Sequence, residues 1–226
     1  MAVTAERRTQ PRKAKSSGRK LFAHDRSFGA RFVAGADEAG RGCLAGPLVA
    51  GGVLLDLHRI GPRDVRALAR LNDSKKLSDE AREELLPVIL AAAAKVVVIS
   101  RSAVTIDTSG LHVNNLAALR EALRAVAVPG AVCLSDGFSV GEIEGCVSQP
   151  LVGGDAKSAA IAAASIVAKV SRDRYMLRQS EIYPEWGFDE HVGYSTPMHR
   201  EAITRHGITP LHRRSFASAA YQQLTL

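Results

Sequence analysis

The stretch FVAGADEAGRGCLAGPLVAGGVLL, residues 32–55, decides how this chain is read. Its two ends, Phe32–Ala36 and Leu48–Leu55, are short and apolar, and the centre between them is a glycine-rich turn. Two strands joined as a hairpin fit that pattern. Asp37 and Glu38 follow the first strand directly, and strand ends are where sites gather in open α/β sheets. Successive strand side chains point to opposite faces, so both acids serve one site only if the strand ends or twists between them. The nearby Gly40 and Gly42 make that feasible.

Beyond the hairpin, helical and strand patterns alternate. Ser78 caps a helix that carries Asp79 and Glu80 in its first turn and runs to about Ala94. Lys95–Arg101 is β-branched and reads as a buried strand. Leu111–Val126 is amphipathic, with Leu111, Leu116, Leu119 and Leu123 near one face. Pro129-Gly130 ends it, and Ala131–Leu134 is a strand running into Ser135-Asp136-Gly137. An alanine-rich helix follows from Ala156 to about Gln179, and two more helices are expected at Pro197–Arg205 and from about Ser215. The class is α/β, a mixed sheet flanked by helices with a C-terminal helical extension.

Composition narrows the setting. With 46% hydrophobic and 23% charged residues in 226, the chain is long enough to bury a full core. Cys43, Cys133 and Cys146 are an odd number without paired-ligand spacing, which suits free thiols in a reducing compartment. The first twenty residues are polar and basic with no signal-peptide run, and Leu85–Ile99 is too short and too interrupted to span a bilayer. A cytoplasmic monomer without membrane attachment is expected. The net charge of +7 lies wholly in residues 1–31, which hold nine Lys or Arg against Glu6 and Asp25; the other 195 residues balance at 21 of each sign. Global basicity is therefore no argument that the folded domain binds nucleic acid. Residues 1–30 read as a disordered basic arm, a solubilising tail or a phosphate-binding one, and residues 31–226 as the domain.

Asp136 also ends an apolar strand, so it can converge with Asp37 and Glu38 to hold divalent cations through hard oxygen ligands. Asp155, just before the alanine-rich helix, is a candidate fourth ligand. Blander readings stand beside each: Asp136-Gly137 as an ordinary turn, Asp155 as a helix-cap acid, Asp37-Glu38 as surface charge.

Taken in order, the motifs resemble ribonuclease HII. The resemblance rests on Ala34–Gly42 with Leu44-Ala45-Gly46-Pro47, then Asp73–Ser78, Ser135-Asp136-Gly137, Gly154–Ser158, Ala162–Arg174, and Gly193-Tyr194 with Thr196 and His199. It covers residues 32 to 216 or so, nearly the whole domain. It implies an RNase H-like fold, a four-acid site of Asp37, Glu38, Asp136 and Asp155, and a Mg2+ or Mn2+ cofactor. The implied substrates are RNA–DNA hybrids and duplex DNA containing ribonucleotides, cut by a two-metal-ion mechanism to 3′-hydroxyl and 5′-phosphate ends. Asp173 is a rival fourth acid; Asp155 is preferred because Arg172 and Arg174 look like structural or phosphate-facing partners for a helical acid. The resemblance also implies that Gly40, Arg41 and Gly42 read the ribose 2′-hydroxyl and that Tyr194 stacks on the following deoxyribose. Lys75 and Lys76 are candidate phosphate contacts, with a solvated charge pair as the alternative. Cys43 departs from the family, which usually has proline there.

Three other readings compete. A non-enzymatic nucleic-acid-binding module leaves the strand-end acids unexplained. No P-loop spacing occurs. A zinc hydrolase built on His191, His199, His206 and His212 lacks a recognised ligand pattern.

Overall fold

In the computed structural model, which describes residues 17–72, 74–216 and 221, one sheet organises the chain. Its strands are β1 (Phe32–Ala39), β2 (Leu48–Asp56), β3 (Lys95–Arg101), β4 (Val132–Asp136) and β5 (Val147–Leu151). The helices are α1 (Ser17–Ser27), α2 (Pro62–Ala67), α3 (Asp79–Ala92), α4 (Ala103–Ser109), α5 (Leu111–Val126), α6 (Ala159–Ile182), α7 (Phe188–His191) and α8 (Pro197–His206). The sheet order is β3-β2-β1-β4-β5. β1 pairs antiparallel with β2, Phe32 facing Asp56 and Ala39 facing Val49, while β4 runs parallel beside β1. The sheet is therefore mixed, as the alternation of patterns requires.

Helix α6 explains its own alanines. A Cβ on Gly35 of β1 would stand 2.2 Å from the Ala160 carbonyl carbon, and one on Gly51 of β2 would stand 2.4 Å from the Ala164 oxygen. Helix backbone thus lies directly on strand backbone, which only glycine facing alanine permits. One core, on this face, joins α6 to Val33, Val53, Leu55, Leu134 and to Leu85 and Ile89 of α3. On the opposite face Leu119 and Leu123 of α5 pack against Ala34, Ala36, Leu54 and Cys133.

The structure corrects three expectations. Residues 17–27 are helical, not part of a disordered arm; residues 1–16 lie outside the described residues. α1 buries only two apolar side chains, Leu21 and Phe22, too few for a periodic signal, and is held by tertiary bonds: the Gly18 amide donates to Ala69, and Asp25 accepts the Ala160 amide at 3.0 Å. β1 does not stop at Ala36 but runs through both acids to Ala39. β5, to which the sequence reading assigned no element, pairs parallel with β4; its Pro150 is tolerated because the strand forms the sheet's edge. The helix expected from about Ser215 falls largely outside the described residues. Among the described residues no helix is long and apolar enough to cross a membrane.

Candidate active site

Because β1 continues through them, Asp37 and Glu38 point to opposite faces of the sheet. Asp37 takes the α6 side, beside Ser165; Glu38 takes the α5 side, beside Asn115. They still act as one electrostatic unit, because both lie at the strand's last turn. Asp136 ends the neighbouring parallel strand one register step past the Ala36–Ser135 pair. Asp37 is 6% exposed and its carboxyl is pushed up to about 8, chiefly by burial, then by the charges of Glu38 and Asp136. Glu38 is raised too, by burial first and then by Asp136, although Arg41 opposes the shift.

Local hydrogen bonds fix two of these acids. Asp37 Oδ1 accepts the Glu38 amide at 2.7 Å, and Asp136 Oδ1 accepts the Gly154 amide at 2.6 Å. Asp155, one residue beyond that amide, lies buried in the 3-10 turn Gly154–Ala156 before α6. Gly154 itself leaves no room for a side chain: a Cβ would stand 2.4 Å from Ile161 and 3.2 Å from the Asp136 carboxylate. The loop that carries Asp155 is thereby tied to Asp136. Asp173 sits in α6 in an ion pair with Lys169 at 2.7 Å. Neither flanking arginine addresses it, contrary to the sequence argument: Arg172 donates to the carbonyls of Ala45, Pro47 and Val192, and Arg174 pairs with Glu83.

The residues suit hard divalent cations. Every candidate donor is a carboxylate oxygen, and Glu38 Oε2 is buried without a hydrogen-bond partner. Among the described residues no three acids, imidazoles or thiols already stand gathered at ligand spacing.

The Gly40–Gly42 turn forms the rim. Gly40 has φ +90°, and a Cβ there would meet Arg172 Nε at 2.2 Å, so its glycine is explained by backbone conformation and arginine packing. A Cβ on Gly42 would meet nothing within 4 Å, so its face is open. Arg41 spans the gap between the strands, with Nη1 3.4 Å from Glu38 Oε1 and its guanidinium 4.8 Å above the Phe138 ring. Arg213, fully buried, donates to the carbonyls of Arg41 and Gly46 and holds the turn from beneath. Tyr194 comes to the same rim because the Gly193 carbonyl accepts the amides of Leu44 and Ala45 at 2.9 and 3.3 Å. Its ring is 39% exposed, with Lys169 Nζ 5.5 Å from its centroid. Lys75 and Lys76 occupy the 3-10 turn Ser74–Lys76, anchored beside the acids by the 2.8 Å contact between Ser74 and Ser165 hydroxyls.

Ser165, Asn115, Phe138 and Arg213 were not singled out from the sequence. Arg213 is the one with a legible signal, a second basic residue in a polar C-terminal stretch. The histidines proposed as zinc ligands are otherwise engaged: both ring nitrogens of His191, His199 and His212 have protein partners.

The family model described as Ribonuclease HII matches residues 34–219. A ribonuclease HII of Rhizobium johnstonii is 50% identical over 184 residues, 81% of this chain and 77% of the relative. One of Mycobacterium ulcerans is 46% identical over 217 residues, 96% of this chain and 87% of the relative. Among solved structures, the ribonuclease H2 of Pyrococcus horikoshii superposes with a TM-score of 0.72 at 26% identity, over 85% of this chain and 96% of that one.

Proposed function

The chain belongs to the ribonuclease HII family, and on that premise we propose that it hydrolyses the phosphodiester 5′ to a ribonucleotide embedded in duplex DNA. Membership makes it a metal-dependent ribonuclease, a hydrolase acting within RNA–DNA hybrids. The ribonucleotide-directed cut, its 3′-hydroxyl and 5′-phosphate products and the use of two cations are the content of the proposal. The observation that carries it is the convergence of Asp37, Glu38 and Asp136 at the strand ends, where burial first and the charges of Glu38 and Asp136 next lift Asp37 to about 8 beside an unpartnered Glu38 oxygen.

Asp37, Glu38, Asp136 and Asp155 would hold Mg2+ or Mn2+, which an all-oxygen donor set favours over zinc. When bound, such cations activate water and stabilise charge on the leaving oxygen. The chain's own residues do the rest. Gly42 leaves room for a ribose against the backbone of the turn, where a 2′-hydroxyl separates RNA from DNA. Arg41 remains 40% exposed beside that opening. Tyr194 presents its ring to the next sugar, and Lys75 and Lys76 meet phosphates. The three free thiols, Cys43 and Cys133 buried, suit a reducing cytoplasm, and the activity needs only one copy of the chain.

The test is cleavage of a labelled DNA duplex carrying one ribonucleotide, beside an all-DNA control, with Mg2+, Mn2+ or chelator. A single metal-dependent cut 5′ to the ribonucleotide is expected, lost in Asp37→Asn and Asp136→Asn while duplex binding survives. Near wild-type cleavage by either variant would overturn the site.

A further inference from the structure

Three buried imidazoles lie behind Tyr194, outside the acid site. His199 is fully buried, His212 is 2% exposed and His191 is 6% exposed. His191 and His199 stack with centroids 4.2 Å apart, and Phe188 meets each of the three. Their hydrogen bonds can be followed proton by proton.

The Thr209 amide, which can only donate, points at His212 Nδ1 at 2.9 Å. That nitrogen is therefore bare, and the ring's proton sits on Nε2. His212 Nε2 faces His199 Nε2 at 3.1 Å, so His199 Nε2 accepts. The His199 proton must then be on Nδ1, which lies 2.9 Å from the Tyr194 carbonyl oxygen, a group that can only accept. Reading from the Tyr194 end gives the same protons, so the chain is determined from both ends. A further proton on His199 would set N–H against N–H; one on His212 Nδ1 would oppose the Thr209 amide, and the Thr209 hydroxyl, also 2.9 Å away, can donate to that nitrogen as it stands. Burial agrees, holding His199 down at about 3 and His212 at about 4. His191 works alongside: its Nδ1 accepts the Gly193 amide at 3.1 Å and its Nε2 donates to the Trp186 carbonyl at 2.7 Å. The Tyr194 amide in turn donates to the His191 carbonyl at 2.8 Å.

We propose that His199 and His212 are positioning residues that fix Tyr194 at the junction-reading rim, through a directed chain Thr209 N–H, His212, His199, Tyr194 C=O. A turn held at the amide of Gly193 and at both backbone groups of Tyr194 cannot rotate to move the ring off the sugar beside Gly42. The inference rests on Tyr194 reading the sugar after the ribonucleotide.

Two measurements test it. Nitrogen NMR of the imidazoles in the intact protein should find His212 protonated at Nε2 and His199 at Nδ1, both neutral at pH 7. His199 protonated at Nε2 would overturn the chain whatever the enzyme's substrate. The second compares single-ribonucleotide duplexes with continuous RNA–DNA hybrids. His199→Leu should lower the junction-to-hybrid ratio of kcat/KM about three- to tenfold, as loss of one hydrogen bond allows. His199→Asn, whose amide can replace the Nδ1 donor, should restore most of it. Added to Tyr194→Ala, His199→Leu should lower the ratio no further. An equal fall on both substrates, or a further fall in the double variant, would reduce the histidines to fold support and overturn the inference. A Tyr194→Ala variant with an unchanged ratio would instead sink the sugar-reading role of Tyr194, and the positioning role with it.

Discussion

Replacing Asp37 by asparagine is expected to stabilise the metal-free protein at alkaline pH while ending cleavage. Asp37 is buried, and its carboxyl stands at about 8 against 3.8 for an ordinary aspartate. An acid raised in the folded state binds its proton more tightly there than in the unfolded chain. Its stabilisation is therefore fully present below pH 3.8 and is lost as pH rises through about 8. At about 1.4 kcal/mol per pH unit the loss has a ceiling on the order of 5 kcal/mol. Rearrangement around an ionised carboxylate recovers part of that, leaving about 3 kcal/mol. Asparagine keeps the oxygen that accepts the Glu38 amide and puts a donor where Glu38 and Asp136 now meet a third negative charge. In chelator at pH 9 the variant should melt roughly 6–12 °C above the parent, a gap that should narrow as pH falls and close near the ordinary aspartate value of 3.8. Mn2+ should then raise the parent's Tm more than the variant's, since a ligand that binds only the folded state stabilises by mass action. A variant less stable than the parent at pH 9, or a gap independent of pH, would refute the account of strain among the acids.

Four further outcomes follow from other residues. Asp25, fully buried and raised to about 6 mainly by burial, has the same sign: its share of the loss between pH 4 and pH 7 is about 3 kcal/mol, and urea unfolding should show Asp25→Asn losing that much less than wild type over the range. Gly40→Ala, forced to positive φ and against Arg172, should cost about 2–4 kcal/mol in denaturant melts. Gly42→Ala should change stability by less than about 0.5 kcal/mol yet lower junction cleavage about a hundredfold, because its Cβ fills the space offered to the ribose. Arg213→Met should cost about 3 kcal/mol by leaving the carbonyls of Arg41 and Gly46 unpaired, and Arg213→Lys should recover only part, since an ammonium lacks the planar fork; thermal melts of both variants decide it.

What could be read in advance was what repeats locally. The β1–β2 hairpin, the β3 run, and the helices α3, α5 and α6 each carry their own periodicity or cap, and the structure places them within a few residues of expectation. α1 carries too little: two buried apolar residues in a basic segment resemble a tail until Asp25 meets the α6 amides across the fold. β5 likewise has an edge strand's exposed face and a proline, so only its pairing with β4 identifies it. The imidazole chain behind Tyr194 was invisible for another reason: its groups all lie within residues 191–212, but sequence spacing alone does not show that the segment after α8 folds back onto the turn before it.

The acids show how a correct local rule can mislead about a site. Alternation along β1 seemed to forbid Asp37 and Glu38 from working together unless the strand stopped between them. It does not stop, and they do point apart, one toward Ser165 on α6 and the other toward Asn115 on α5. Yet the strand has one residue left after Glu38, and β4 ends at Asp136 in the neighbouring register. Where a sheet runs out, its two faces are no longer separated by backbone. Carboxylates on opposite faces of the last turn can then surround a space at the tip of the strand. Asp136 perturbs both of them from beside that tip, which it could not do had the pair stood in the middle of the sheet. The proposed site therefore belongs to the edge formed by strand ends, and the alternation along β1 is what brings acids to it from both sides.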